Sequence, residues 1–258
     1  MEKLTIVKVG GKIVEEESSL QQLLSDFGSI SGNKVLVHGG GRSATAMAAK
    51  LGIETKMVDG RRITDKAMLD VVTMVYGGLV NKNVVAGLQA KGCNAVGFCG
   101  ADLDLIRAVK RPVREIDYGY VGDVVDVNTK ELRILLEQGV TPVVAPLTHD
   151  GKGILLNTNA DTIAAELAIG LSEHFKVRLI YCFEKDGVLA NPDDDTSVIY
   201  DLNTELYRQY KADGTIGAGM IPKIDNSFNA LHNGVTEVLI TNAVNLTRPS
   251  AGGTLIRL

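Results

Sequence analysis

Tryptophan is absent from these 258 residues, aromatic side chains make up 5%, and there are three cysteines and four histidines. An odd number of cysteines without CxxC spacing excludes a disulfide framework and a zinc cluster of the usual kind. The histidines form no HExxH or HxE pair, so no metal site is predicted. We therefore expect the cysteines, Cys93, Cys99 and Cys182, to be small buried side chains.

Long apolar runs and excess positive charge are also missing. No stretch reaches the roughly 18 apolar residues of a membrane span. The formal net charge is -4 and the pI is about 5.6, which argues against a nucleic-acid partner. These absences favour a cytoplasmic protein that acts on small molecules.

Hydrophobic residues, at 45%, are ample for a large core. Short β-rich apolar runs alternate with helix-like segments along most of the chain, which predicts an α/β fold of three layers with a mainly parallel sheet. The predicted strands are 4–9, 35–37, 94–98, 141–147, 178–183 and 237–241, and the predicted helices are 17–24, 43–51, 64–76, 130–138, 160–171 and 220–233. Residues 104–127 instead predict antiparallel hairpins, and a soft boundary falls near Leu171.

Glycines follow two of the predicted strands. Gly10 and Gly11 come after the first strand, and Gly39 to Gly41 come after the second. Ligands of open α/β sheets gather at the carboxyl ends of strands, and free N–H groups there favour anions. Lys8 lies inside the first apolar strand, where a buried ammonium needs an anionic partner. His38 precedes the second loop, and a hydrogen-bonded structural role and a catalytic role are both open for it.

Two further clusters carry polar residues at helix starts. Asn157, Asn159 and Asp161 surround the start of a helix near residue 160, and capping explains only one of them. Lys223 lies in the first turn of another helix, where a bound anion would offset its unfavourable position on the helix dipole. Two lysines, an acid and two glycine loops indicate phosphoryl transfer, without the GxxxxGK[ST] of a P-loop.

The order and content of these motifs resemble the amino-acid kinase family, and within it the acetylglutamate kinases. The matching segments are KVGGK at 8–12, VHGGGR at 37–42, VDGRRITD at 58–65, GYVGDV at 119–124, NTNADTIA at 157–164, GAGMIPK at 217–223 and GGTLI at 252–256. The resemblance implies an αβα sandwich with a mainly parallel sheet of about eight strands. It implies acylglutamate binding and dimerisation in residues 1–171, and ATP binding in 172–258.

The resemblance also implies a reaction and its residues. The γ-carboxylate of an N-acylglutamate would attack ATP in a step of arginine biosynthesis, with Mg²⁺ held mainly by nucleotide phosphates. The implied catalytic residues are Lys8, Lys223, Asp161, Gly11 and Gly40. The implied substrate-binding residues are Gly40, Gly41, Arg62, Asn157 and Arg61. The implied nucleotide-binding residues are Lys8, Gly10, Gly11, Glu184, Gly187, Gly219 and Lys223.

This chain departs from the family pattern at informative places. The family usually has a leucine near the acyl methyl group where this chain has Arg61. Arg61 either turns to solvent or pairs with a carboxylate on a larger acyl group, as in N-succinylglutamate. Glu184 and Lys185 replace the usual Asp-Val before Gly187, and GADLD at 100–104 replaces GKDGN, so the nucleotide-loop contacts stay open.

Other functions remain as alternatives. Glutamate 5-kinase and uridylate kinase share the fold, and a non-catalytic amino-acid sensor is a further option. The segment GGGRSA at 39–44 also fits a dinucleotide-binding motif with Asp59 as its acid, which would indicate an oxidoreductase. Arginine-inhibited members carry an extra N-terminal helix, whereas the first strand here begins by Leu4, so a homodimer insensitive to arginine is expected.

Overall fold

A computed structural model describes residues 1–58, 60–217, 219–247 and 252–258. Its strands are β1 Lys3–Val9, β2 Asn33–His38, β3 Met57–Val58, β4 Arg61–Arg62, β5 Ala95–Phe98, β6 Ile106–Lys110, β7 Gly122–Val127, β8 Thr141–Val144, β9 Leu147–His149, β10 Leu155–Asn157, β11 Lys176–Phe183, β12 Asp201–Asn203, β13 Glu237–Asn242 and β14 Thr254–Arg257. Its α-helices are α1 Gly11–Glu15, α2 Glu17–Ser29, α3 Gly41–Lys50, α4 Lys66–Val72, α5 Asn81–Gln89, α6 Thr129–Glu137, α7 Ala160–Ser172, α8 Thr204–Ala212 and α9 Ile221–His232.

The main sheet has eight strands in the order β12-β14-β13-β11-β1-β2-β8-β5. Every neighbouring pair in it is parallel except β13 with β14. The predicted mainly parallel sheet of about eight strands is therefore confirmed. The strands β11, β1 and β2 are adjacent, so their carboxyl ends meet at the middle of one edge.

Two hydrophobic clusters cover the two faces of this sheet. Leu4 and Ile6 of β1 face the cluster that contains α6, α7 and α9. Val7 and Val9 of the same strand face the cluster that contains α2, α3, α4 and α5. This alternation, with helices on both faces, gives the predicted three layers. It also places Lys8 on the face that α7 covers.

The segment between β5 and α7 forms a smaller sheet in the order β10-β9-β6-β7. The strands β6 and β7 pair antiparallel, which confirms the hairpin predicted for residues 104–127. The single predicted strand 141–147 is wrong, because the chain leaves β8 after Val144 and starts β9 at Leu147. The intervening Pro146 has no N–H to continue a ladder.

The helices α4 and α5 join through a π-helical segment, Thr73–Val80, into one helical run. This run, Lys66–Gln89, is long and apolar enough by length and composition to cross a membrane, although no apolar stretch of that kind was expected. Nearly half of its most apolar window, 44%, is buried inside the protein, where Val72, Val75 and Val84 pack in the core. The run thus packs as a core helix of the sandwich. A core helix can be as long and as apolar as a membrane span.

Candidate active site

One carboxylate holds two lysines at the carboxyl edge of the main sheet. Lys8 near the end of β1 places its Nζ 2.7 Å from Oδ1 of Asp161. Lys223 in the first turn of α9 places its Nζ 2.7 Å from Oδ2 of the same residue. Lys8 and Asp161 are both buried, at 7% exposure each. The predicted cluster of two lysines and one acid therefore exists as a three-residue ion pair network.

Asp161 is fixed in this position by its backbone. Asn159 caps α7, and its Oδ1 accepts hydrogen bonds from the N–H groups of Asp161 and Thr162. The carbonyl of Asp161 accepts a bond from the buried Tyr181 hydroxyl at 3.2 Å. Of the three polar residues predicted around this helix start, Asn159 is thus the cap, which leaves the carboxylate of Asp161 free for the lysines. Tyr181 was not predicted, because a tyrosine in a buried strand carries no sequence signal of its own.

The ionised form of Asp161 is stabilised by the two ammonium groups. Burial alone would raise the pKa of this carboxyl, but the charges of Lys8 and Lys223 outweigh it and lower the pKa to about 2. The network therefore carries one net positive charge at neutral pH. That surplus attracts an anion to the edge of the sheet.

The two glycine loops touch each other beside this network. The N–H of Gly39 donates to the carbonyl of Val9 at 3.0 Å, which ties the second loop to the first strand. A Cβ on Gly39 would lie 3.0 Å from the nitrogen of Gly11, and one on Gly11 would lie 3.4 Å from the nitrogen of Gly40. Glycine at these positions lets the two backbones approach so closely. The amide nitrogens of Gly11, Gly40 and Gly41 thereby converge.

These three N–H groups donate to no acceptor among the residues that the structure describes. Gly41 begins α3, and the first-turn N–H groups of a helix have no intrahelical partner. Gly10 differs, because its N–H donates to the carbonyl of Cys182 at 3.1 Å. The expectation that Gly10 donates to a phosphoryl group is therefore corrected, whereas Gly11, Gly40 and Gly41 have the required free donors.

Glycine at position 40 is explained by packing against a side chain. A Cβ there would meet the ring of Tyr76 at 3.0 Å instead of the space that an anion would occupy. Tyr76 lies in the π-helical segment and is buried. This contact could not be found in the sequence, because it depends on how the helical run Lys66–Gln89 packs over the second loop.

Arg62 and Asn157 both contact Thr64, whose Oγ1 donates to the carbonyl of Arg62 at 3.3 Å. Arg62 is 8% exposed, and its Nη2 donates to the carbonyl of Gly41 at 2.8 Å and to Oγ1 of Thr45 at 2.9 Å. The side-chain nitrogen of Asn157 donates to Oγ1 of Thr64 at 2.9 Å. Arg62 thus braces the start of α3 with a buried guanidinium group.

Arg61 points away from Arg62, as alternation along β4 requires. It is exposed and lines a surface cavity of about 590 Å³ together with Arg111 and Arg114 of the β6–β7 hairpin. Arg111 is paired with Asp123 at 2.6 Å. The cavity walls also contain Glu115. Arg61 is therefore exposed, in a surface region that also contains the guanidinium groups of Arg111 and Arg114.

The loop after β11 lies beside the first glycine loop. Glu184 pairs with Lys12 at 2.8 Å, and both side chains are about half exposed. A Cβ on Gly187 would lie 2.7 Å from Oγ1 of Thr254, so this glycine serves close packing against β14. Gly219 has open space around it.

Two residues that the sequence analysis used fall in the gaps of the structure. Ala218 of the GAGMIPK segment lies outside the described residues, as does Asp59, on which the dinucleotide-binding alternative depends. Across the described parts of the chain, no group of three or more His, Cys, Asp or Glu side chains is arranged to hold a metal ion.

Comparisons with known proteins agree with the geometry. A profile of the amino acid kinase family matches residues 3–242. An acetylglutamate kinase from Bacteroides thetaiotaomicron is 66% identical over 242 residues, which cover 94% of each chain. A crystal structure from Streptococcus mutans superposes with a TM-score of 0.80 at 28% identity over 98% of both chains. Carbamate kinase from Giardia lamblia bound to AMP-PNP superposes with a TM-score of 0.74 at 13% identity, over 99% of this chain and 98% of that one, and shows the shared fold alone.

Proposed function

Because this chain belongs to the amino acid kinase family, we propose that it transfers the γ-phosphoryl group of ATP to the γ-carboxylate of N-acetyl-L-glutamate. The 66% identity to an acetylglutamate kinase over nearly the whole chain supports this acceptor. The reaction is a step of arginine biosynthesis and yields an acyl phosphate and ADP. The observation that carries the proposal is the Lys8–Asp161–Lys223 network beside three free backbone amides.

The chemistry assigned to this network is charge neutralisation. Phosphoryl transfer spreads negative charge over the transferred oxygens, and catalysis consists mostly of positioning the reactants and stabilising that charge. Lys8 and Lys223 approach from opposite sides of Asp161, so their ammonium groups can contact the transferred group from the β1 side and the α9 side. The N–H groups of Gly11 and Gly40 donate to the same oxygens. Asp161 keeps both lysines in place and takes no proton.

Mg²⁺ would enter with ATP and stay on its phosphates. Both oxygens of Asp161 are occupied by lysines, so the buried acid of the site is unavailable as a metal ligand. A metal bound by nucleotide oxygens and water fits this arrangement, because Mg²⁺ retains several waters in sites of this kind.

The two substrates would bind on opposite sides of the network. Residues 1–171 contain Arg62 and Asn157, which we assign to the α-carboxylate and neighbouring groups of the acylglutamate. Residues 172–258 contain Lys223, Glu184 and Gly219, which we assign to the nucleotide side. The boundary falls between α7 and β11, although the sheet runs through it without a break.

The acyl group has a second candidate, the succinyl group. Arg61 stands where the related enzymes usually have a leucine, and it lines a cavity with two further arginines. A guanidinium in such a position can pair with the terminal carboxylate of N-succinyl-L-glutamate. The test compares kcat/KM for the two acyl substrates in the wild type and in Arg61→Leu, with Arg114→Leu as a matched removal of charge. An unchanged preference in Arg61→Leu would contradict the succinyl assignment.

The experiment that tests the main proposal is ATP-dependent formation of a hydroxamate. N-acetylglutamate, N-succinylglutamate and free glutamate serve as parallel acceptors, and ADP release is followed with UMP. Turnover of an N-acylglutamate is expected. Turnover of free glutamate or UMP alone would instead assign the chain to a related kinase, and binding without turnover would favour an amino-acid sensor.

We further propose that the enzyme is a cytoplasmic homodimer that arginine does not inhibit. Exposed apolar side chains on the helical run Lys66–Gln89, Met74 and Leu79, support a second copy packing there. Light scattering is expected to give twice the chain mass of 27.5 kDa. A hexamer, or a loss of activity with added arginine, would contradict this proposal.

A further inference from the structure

The peptide group between Gly39 and Gly40 is hydrogen-bonded through its carbonyl oxygen to a buried histidine. His38 is 0% exposed, and its Nδ1 lies 2.7 Å from the carbonyl oxygen of Gly39. A carbonyl oxygen only accepts hydrogen bonds, so Nδ1 must carry the proton. The ring therefore donates to the Gly39 carbonyl.

The other ring nitrogen is fixed as an acceptor by Asn81. Nδ2 of Asn81 lies 3.1 Å from Nε2 of His38 and 3.0 Å from the carbonyl oxygen of Val143. Its Oδ1 accepts from Nζ of Lys82 at 3.1 Å. The contacts with Val143 and Lys82 define the orientation of the Asn81 amide independently of the histidine. The NH₂ group of Asn81 must therefore be the group that faces Nε2 of His38. Burial lowers the pKa of His38 to about 4, and the ring is neutral at neutral pH.

The geometry of a peptide group transmits this contact to the active site. The carbonyl of Gly39 and the N–H of Gly40 belong to one planar trans unit, so they point in opposite directions. A ring that donates to the carbonyl therefore determines where the N–H points. That N–H has no acceptor among the described residues and lies beside Gly11, at the convergence of the two glycine loops.

We infer that His38 and Asn81 are positioning residues for phosphoryl transfer, which act through the Gly39–Gly40 peptide on the Gly40 N–H. The histidine holds the peptide in the orientation that aims this N–H at the transferred group. Its hydrogen bond also polarises the peptide and makes the N–H a stronger donor. Asn81 selects the ring tautomer that allows this bond. The inference rests on the proposed function, because it assigns the Gly40 N–H to the phosphoryl group.

A purely structural histidine would show different behaviour on substitution. In His38→Asn, the side-chain NH₂ group can replace Nδ1 as a donor to the Gly39 carbonyl. In His38→Leu, the volume is similar but the donor is lost. We expect kcat to fall about 10- to 100-fold in His38→Leu, less than on deleting an oxyanion donor outright, and to stay within about 3-fold of the wild type in His38→Asn. KM for both substrates is expected to change little.

The matched control is Thr141→Val, which removes a buried hydroxyl at the amino end of β8, where Oγ1 contacts Cys93. Urea unfolding of all three variants separates loss of stability from loss of kcat. A kcat loss that is equal in His38→Leu and His38→Asn, or that follows stability in the same way as in Thr141→Val, would overturn the inference.

Two NMR measurements test the arrangement without relying on turnover. Long-range ¹H–¹⁵N spectra are expected to show the Nδ1–H tautomer of His38 in the wild type and a change of tautomer in Asn81→Leu. Inorganic phosphate is expected to shift the Gly40 amide resonance in the wild type but not in His38→Leu. A wild type that turns over no acceptor would refute the proposed function. The Nε2–H tautomer, or a phosphate shift unaffected by the substitution, would refute the role of His38.

Discussion

Replacing Asp161 by asparagine removes the carboxylate that both lysines contact. The pKa of Asp161 is lowered from 3.8 to about 2, which corresponds to about 2 kcal/mol of stability from its ionised form. Asp161→Asn keeps the shape of the side chain but leaves the buried ammonium group of Lys8 and the partly buried one of Lys223 without their shared counter-ion. We expect the variant to be less stable by at least about 2 kcal/mol at pH 7, a fall in Tm of about 4 to 8 °C.

The pH dependence of this loss follows from the direction of the pKa shift. A carboxyl with a lowered pKa stabilises the folded state above its unfolded value of 3.8, and the stabilisation is lost as the pH falls through about 2. The stability difference between the wild type and Asp161→Asn should therefore be full at pH 7 and shrink below about pH 5. Urea unfolding at several pH values measures it.

The matched control is the surface acid Asp70, which pairs with Lys66 one helical turn away. Both side chains of this pair are exposed, and exposed ion pairs contribute between 0 and about 1 kcal/mol to the free energy of unfolding. Asp70→Asn should therefore change stability little at any pH. If Asp161→Asn is as stable as the wild type at pH 7, or if the difference stays constant down to pH 3, the assignment of Asp161 as the counter-ion of both lysines is refuted.

Three further substitutions test other parts of the site. Lys8→Met should lower kcat by about 100- to 1000-fold in the hydroxamate assay, because one of the charge-stabilising groups is lost; a loss confined to KM would contradict this. Gly39→Ala should lower kcat because its Cβ would lie 3.0 Å from the nitrogen of Gly11, whereas Gly28→Ala, with nothing within 4 Å, should keep kcat and raise Tm. Gly119→Ala should destabilise the protein in urea unfolding, because a Cβ there would lie 2.2 Å from the carbonyl of Thr64 and φ is +72°; unchanged stability would refute the close approach.

The ion-pair network of Lys8, Asp161 and Lys223 was predictable from local chemistry. A lysine inside an apolar strand needs an anionic partner, and parallel strands bring their carboxyl ends to one edge. Asp161 stood out because capping explains only one of the three polar residues Asn157, Asn159 and Asp161 around the start of α7. These arguments use only the residue itself and the nearest elements, which is why Lys8, Asp161 and Lys223 were found together.

The helical run was predicted less well, because packing overrides local preference there. The glycine pair Gly77–Gly78 predicts the end of a helix, and the predicted helix accordingly stopped at Tyr76. In the structure the chain continues through the π-helical segment into α5, with Val80, Val84 and Leu88 buried on one face. The burial of these side chains outweighs the roughly 1 kcal/mol that each glycine costs in a helix.

The three consecutive glycines of the second loop show most clearly that the sequence does not reveal tertiary packing contacts. All three look equivalent in the sequence, where they follow one strand and together predict free N–H groups that favour an anion. In the structure Gly39 gives room to the backbone of Gly11, and Gly40 gives room to the ring of Tyr76. Gly40 and Gly41 both keep an N–H group that donates to no described acceptor, and Gly41 is the one whose Cβ would meet no described atom closer than 3.9 Å. The glycines therefore let two loops and a helix close around the same space, and this packing brings the amides of Gly11, Gly40 and Gly41 together.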